Sequence, residues 1–161
     1  MFVRYFLEIE LPFDKVEGAL LQSPRAWMPG VAADAEMRGE RLLAEVGFGG
    51  PGHRLGRKVE VEVGEVIRFP SKTVLPISWR AVAAEALFPS LEADIEVAAL
   101  GATRTQLSVS ARYRPPFGLV GRIVDRALLH RVAEATLKDF LDQVGQALQD
   151  IARASIETHM G

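Results

Sequence analysis

The chain has 161 residues, 19 basic and 21 acidic for a formal charge of −2, and no cysteine. The length fits one domain that can bury roughly 70% of its unfolded surface without staples. The lack of cysteine excludes a disulfide framework, a thiolate nucleophile and a thiolate metal site, and the charge balance excludes a basic surface for nucleic acid.

Residues 2–11 alternate, with Val3, Tyr5, Leu7, Ile9 and Leu11 on one face and Arg4, Glu8 and Glu10 on the other. This is the period of a half-buried strand, and Pro12 ends it. Met1-Phe2-Val3-Arg4-Tyr5 lacks the charged head and apolar core of a signal peptide, and no apolar run reaches the about 18 residues of a membrane span. A cytoplasmic location without an integral membrane segment is expected. Asp14 and Glu17 have the spacing of a capping box, which predicts a short helix to about Gln22. Ser23-Pro24 starts a second short helix with proline at its first position. It carries Trp27 and Met28 and is expected to stop at Pro29-Gly30. Residues 31–39 read as a loop or a frayed turn, and Arg41 to Phe48 as a strand.

Gly47-Phe48-Gly49-Gly50-Pro51-Gly52 matches a dinucleotide-binding fingerprint letter for letter. Pro51 interrupts it and a strand follows, so no helix N-terminus can receive a pyrophosphate, and the segment reads as a turn. Lys58 to Phe69 alternates with Val59, Val61 and Val63 against Glu60 and Glu62. After Pro70-Ser71-Lys72, residues Thr73 to Glu85 form a strand with Leu75, Ile77, Trp79 and Ala81 on one side. Leu91, Ala93, Ile95 and Val97 then alternate with Glu92, Asp94 and Glu96. Beyond Gly101-Ala102, the residues Leu107, Val109, Ala111 and Tyr113 oppose Gln106, Ser108, Ser110 and Arg112. The acidic sets read as solvated sheet faces.

The prolines of Tyr113-Arg114-Pro115-Pro116-Phe117-Gly118 mark a hard boundary. From Gly121 to Ala152 only Gly145 interrupts a run of good helix formers. Stepped at the helical period, Ile123, Ala133, Leu137, Phe140, Leu141, Val144, Leu148 and Ile151 share one face, with Lys138, Asp139, Asp142, Gln146 and Gln149 off it. Val124, Leu128 and Val132 form a second apolar stripe that calls for a cover. The order of elements predicts an α+β fold. In it, a curved antiparallel sheet of about six to seven strands wraps on a long C-terminal helix, with two short helices after strand 1.

The whole pattern resembles the START-like superfamily, the polyketide cyclase/dehydrase and lipid-transport type with a helix-grip fold. The local matches are Ile77-Ser78-Trp79-Arg80-Ala81, Leu87-Phe88-Pro89, Thr105-Gln106-Leu107-Ser108 leading to Tyr113-Arg114-Pro115-Pro116-Phe117-Gly118, and His130-Arg131-Val132-Ala133. The resemblance is to a bacterial subgroup, in keeping with a chain that has no asparagine and far more arginine than lysine. It implies a cavity between sheet and long helix that holds lipids, polyketides, hormones or quinones. The family usually has seven strands where six are counted here, so either Lys58–Phe69 is two strands or one strand is short.

Trp79 and Tyr113 lie on apolar strand faces, and His130 falls on the same helix phase as Leu137 and Leu141. A ligand pocket is therefore expected among Ile77, Trp79, Tyr113, His130, Leu137 and Phe140. Trp27 and Met28 are expected at its mouth, on a segment hinged at Pro29-Gly30. The competing readings are core packing for the two tryptophans and Met28, and a structural or solvent-facing ring for His130. His53, His130 and His159 have no metal-site spacing, and no cofactor is expected. Glu45 and Glu85 are weak candidates for an acid or base by strand parity, so no catalytic residue is assigned. The expected function is carriage or sensing of an apolar small molecule by a monomer or homodimer. The alternatives are a polyketide aromatase/cyclase acting in the same cavity and a protein-interaction module.

Overall fold

The computed structural model describes residues 2–45, 59–81, 90–113 and 126–160. Strand β1 spans Phe2–Ile9, helix α1 Phe13–Leu21 and helix α2 Pro24–Glu45. Strands β2 (Val59–Val63), β3 (Ile67–Phe69), β4 (Lys72–Ala81), β5 (Ser90–Leu100) and β6 (Arg104–Tyr113) follow, and helix α3 (Arg126–Met160) completes the described chain. All strand pairings are antiparallel, in the order β1-β6-β5-β4-β2, with β3 also paired to β4. The α+β helix-grip reading therefore stands, with two helices after the first strand and one long C-terminal helix across the sheet.

Strand alternation fixes which face is buried. Val3 and Ile9 of β1, Leu107, Val109 and Ala111 of β6, Leu91, Ile95 and Val97 of β5, and Leu75, Ile77 and Trp79 of β4 all point to the helix layer. From α3, Ala133, Leu137, Phe140, Leu141, Val144 and Leu148 meet them and are buried. At roughly 25 cal/mol per Å2 of apolar surface, this layer is the main source of stability. The polar side of α3 is tied along its length, by Lys138–Asp142 at 3.6 Å, Gln143 donating to Asp139 at 2.7 Å and Gln146 to Asp150 at 3.0 Å.

Two local expectations need correction, and of the two alternatives for 58–69 the structure takes two strands. The capping box of α1 does not form. Pro12 occupies the N-cap with extended backbone, and its carbonyl accepts from Lys15 and Val16. Glu17 is used elsewhere, bonding Arg68 at 2.7 Å and accepting from the Thr73 hydroxyl, which ties α1 to β3 and β4.

Helix α2 does not stop at Pro29-Gly30 but continues for 22 residues, so 31–39 is helix and not loop, and 41–45 is helix and not strand. The rest of the expected 41–48 strand lies outside the described residues. Proline inside a helix costs about 3 kcal/mol. Packing offsets that cost. Met28, Ala32, Ala35, Glu36 and Gly39 are buried along one stripe, and α2 packs on α3 and β2. Small residues let the helix approach closely.

The 58–69 stretch is two strands. Register against β4 advances by one between Val63↔Ile77 and Ile67↔Val74, the signature of a bulge at Gly64–Val66. The Gly64 N–H donates to the Pro76 carbonyl at 2.7 Å, and a Cβ on Gly64 would lie 3.2 Å from the Pro76 ring. In an antiparallel strand, the N–H and C=O of one residue face the same neighbour. The N–H that Pro76 lacks would thus point at the bulge, and the β4–β5 ladder loses no bond. The bulge also reverses the faces: Arg68 moves to the helix side of the sheet and pairs with Glu17 while staying largely exposed, and Ile67 and Phe69 turn to the opposite face.

Candidate ligand-binding face

The register places four side chains in one row across the inner face of the sheet. Val61 pairs with Trp79, Trp79 with Leu91 and Leu91 with Tyr113. Ile77 belongs to the next row, beside Val63 and Ala93. Above the row stands the N-terminal half of α3. Phe140 meets Trp79 edge to face, with ring centroids 5.4 Å apart and planes at 76°, a geometry that aligns the positive ring edge with the negative face. Leu137 is fully buried on the same helix side, one turn earlier.

Tyr113 supplies a polar point on this apolar row. It is 4% exposed, and burial, reinforced by the nearby Glu134 carboxylate, pushes its hydroxyl up to about 12. The phenol therefore remains a protonated donor at any physiological pH. Glu134 in turn lies 3.0 Å from His130 Nε2, one helical turn back, and both side chains are about half exposed at 57% and 44%. His130 is thus paired with Glu134, and its ring is at the boundary with solvent and not in the core. Glu134, four residues after His130, was legible as a helical pair but was not singled out from sequence. Glu36 of α2 was also missed. It is 2% exposed and stands in a stretch that reads as loop by local signals.

Met28 is fully buried and Trp27 half-buried, with the indole N–H donating to the Gln22 carbonyl at 3.4 Å. Both ride on a continuous helix, so the hinge expected at Pro29-Gly30 is absent and these residues pack against the core from α2. Of the second stripe, Val132 is buried and Leu128 half-buried within the single chain, with α2 lying along α3. Val124 lies outside the described residues. So do Glu85, His53 and the 47–52 turn, while Glu45 lies in α2 and not on a strand. Among the described residues no cluster of three or more His, Asp or Glu side chains is placed to hold a metal, and no helix is long and apolar enough to cross a membrane.

The opposite face of the sheet carries an open groove of about 490 Å3, bordered by Glu62, Pro76, Ser78, Glu92, Asp94 and Arg112. Its lining is mixed and wet, in keeping with the acidic strand faces, and it is separate from the row beneath α3.

No family model and no curated protein matches the sequence. Solved structures do. A conserved protein from Geobacillus kaustophilus aligns with a TM-score of 0.56 at 13% identity, over 93% of this chain and 96% of that one. A START superfamily protein from Mycobacterium smegmatis aligns at 0.49 and 10% identity, over 93% and 98%. The Zhui aromatase/cyclase from Streptomyces sp. R1128 aligns at 0.46 and 16% identity, over 96% and 97%. At 13% identity, the likeness to the Geobacillus kaustophilus protein speaks to the fold alone.

Proposed function

We infer that the chain binds an apolar small molecule of the lipid, polyketide, isoprenoid or quinone class between the sheet and α3, as a carrier or sensor. Trp27, Met28, Ile77, Trp79, Leu137 and Phe140 supply the apolar walls, and Tyr113 and His130 the polar end. The observation that carries this reading is the placement of Tyr113. A buried phenol donor at the end of an apolar row, backed by a carboxylate and an imidazole at the solvent boundary, suits a ligand with an apolar body and one polar head. Binding rests on burial, about 25 cal/mol per Å2 of ligand surface, and the polar end selects orientation.

The test is titration with an environment-sensitive apolar fluorophore, followed by displacement with fatty acids, isoprenoids, quinones and aromatic polyketides. Trp79→Ala should weaken probe binding by about tenfold or more, because contact area worth over roughly 1.4 kcal/mol is lost. Tyr113→Phe and His130→Ala should reorder which heads are accepted and leave plain hydrocarbons nearly unchanged. Unchanged binding in all three variants, each still melting cooperatively, would place the site elsewhere.

A further inference from the structure

The two edges of the sheet are treated differently. The β2/β3 edge is broken by a bulge and covered in part by α2, which packs on β2. Bulges and covering elements are how proteins prevent edge-to-edge pairing. Strand β1, at the other edge, has no bulge in its pairing with β6, and α3 packs on its inner face. It runs eight residues in unbroken register with β6, from Phe2↔Arg112 to Ile9↔Thr105, and among the described residues it pairs with β6 alone. It contains no proline, and it shows two large apolar side chains on its outer face, Phe2 at 56% and Phe6 at 60% exposure.

The sequence of this strand is self-complementary about Phe6. Antiparallel pairing with a second copy, centred there, sets Phe6 opposite Phe6, Tyr5 opposite Leu7, Arg4 opposite Glu8 and Val3 opposite Ile9. Residues directly opposite in an antiparallel pair share a face. Within Val3–Ile9 every pair in this register is matched in kind: aromatic to aromatic and cation to anion on the outer face, apolar to apolar on the inner; Phe2 falls opposite Glu10, just beyond the strand. Arg4 makes no ion pair among the described residues. Glu8 is held on one oxygen by Arg104 at 3.1 Å and is still 53% exposed, so it can take a second cation. A shift by two residues one way sets Arg4 opposite Phe6 and loses the ion pairs; the other way sets Arg4 opposite Glu10 but loses the Phe6–Phe6 pair and sets Phe6 opposite Glu8.

We propose that β1 is a dimerisation edge, joining two copies of this chain about a two-fold axis at Phe6 into one continuous sheet. The interface is isologous, so each substitution acts twice.

Sedimentation velocity of the full chain over a range of micromolar concentrations tests this. Wild type should sediment as a dimer. Arg4→Glu and Glu8→Arg should each weaken association at least tenfold, because two like-charge pairs replace two opposite ones. An equimolar mixture of these two variants should restore a dimer made of one chain of each, identifiable by native mass. The double variant R4E/E8R, with the charges exchanged, should dimerise by itself. Phe6→Glu should be monomeric. All positions are solvent-facing, and unchanged circular dichroism with a cooperative melt verifies each fold. A monomeric wild type overturns the proposal, and so does a dimer that persists in Arg4→Glu, Glu8→Arg and Phe6→Glu alike.

Discussion

Tyr113 and Glu17 are held by their surroundings in opposite directions, and each ties stability to pH. Burial and Glu134 keep the Tyr113 proton on up to about 12, whereas an unfolded tyrosine gives it up near 10. Above pH of about 10 the unfolded chain therefore binds fewer protons than the folded one, and stability falls as pH rises through that window. The loss is on the order of 2 kcal/mol by about pH 12. Denaturant melts between pH 9 and 12 should show a steeper decline for wild type than for Tyr113→Phe, and parallel curves would contradict the buried phenol. At Glu17, burial favours the neutral acid, but the Arg68 and Thr73 hydrogen bonds and the Arg68 charge outweigh it and lower the pKa from 4.5. Its contribution is present above the unfolded pKa and lost as pH falls through the lower folded value. Wild type should be more stable than Glu17→Gln at pH 7, and the gap should close in acid. A gap that does not change with pH would assign Glu17 a purely steric role.

The same logic of local contacts governs the elements. Helix α3 presents Gly145 to the sheet, where an added Cβ would meet Leu7 Cδ1 at 3.4 Å and Leu107 Cδ2 at 3.5 Å, ordinary contact with flexible side-chain ends. Mid-helix glycine costs roughly 0.5–1 kcal/mol against alanine. Gly145→Ala should accordingly raise stability by up to about 1 kcal/mol, or about 2–4 °C in melting temperature; a drop in Tm would show that the β1–α3 contact has no room. Where periodicity was regular, in β1, β4, β5, β6 and α3, the elements could be read from residues. Helix α2 could not, because Pro29-Gly30 is a strong local stop and its buried stripe is made of small residues that carry little hydrophobic signal. The bulge at Gly64–Val66 was equally hidden, since one extra residue inverts strand parity and sends Arg68 to the helix side and Phe69 to the opposite face.

For the whole molecule, the inward row of Trp79 and Tyr113 followed from strand parity, while the place of His130 at the solvent boundary did not follow from helical phase. Helical phase aims His130 at the sheet. But α3, with 35 residues, spans roughly 52 Å at 1.5 Å per residue, and β5, the longest strand at 11 residues, spans roughly 36 Å. The helix is longer than any described strand. His130 is paired to Glu134 at the solvent boundary, and Glu134 in turn lies near Tyr113. Native mass spectrometry of the freshly purified chain tests the ligand-binding account most directly. The account predicts a folded species carrying one small apolar molecule, lost on unfolding and depleted in Trp79→Ala. A bare chain mass throughout, with no rise in melting temperature from any lipid, isoprenoid, quinone or polyketide added afterwards, would contradict it.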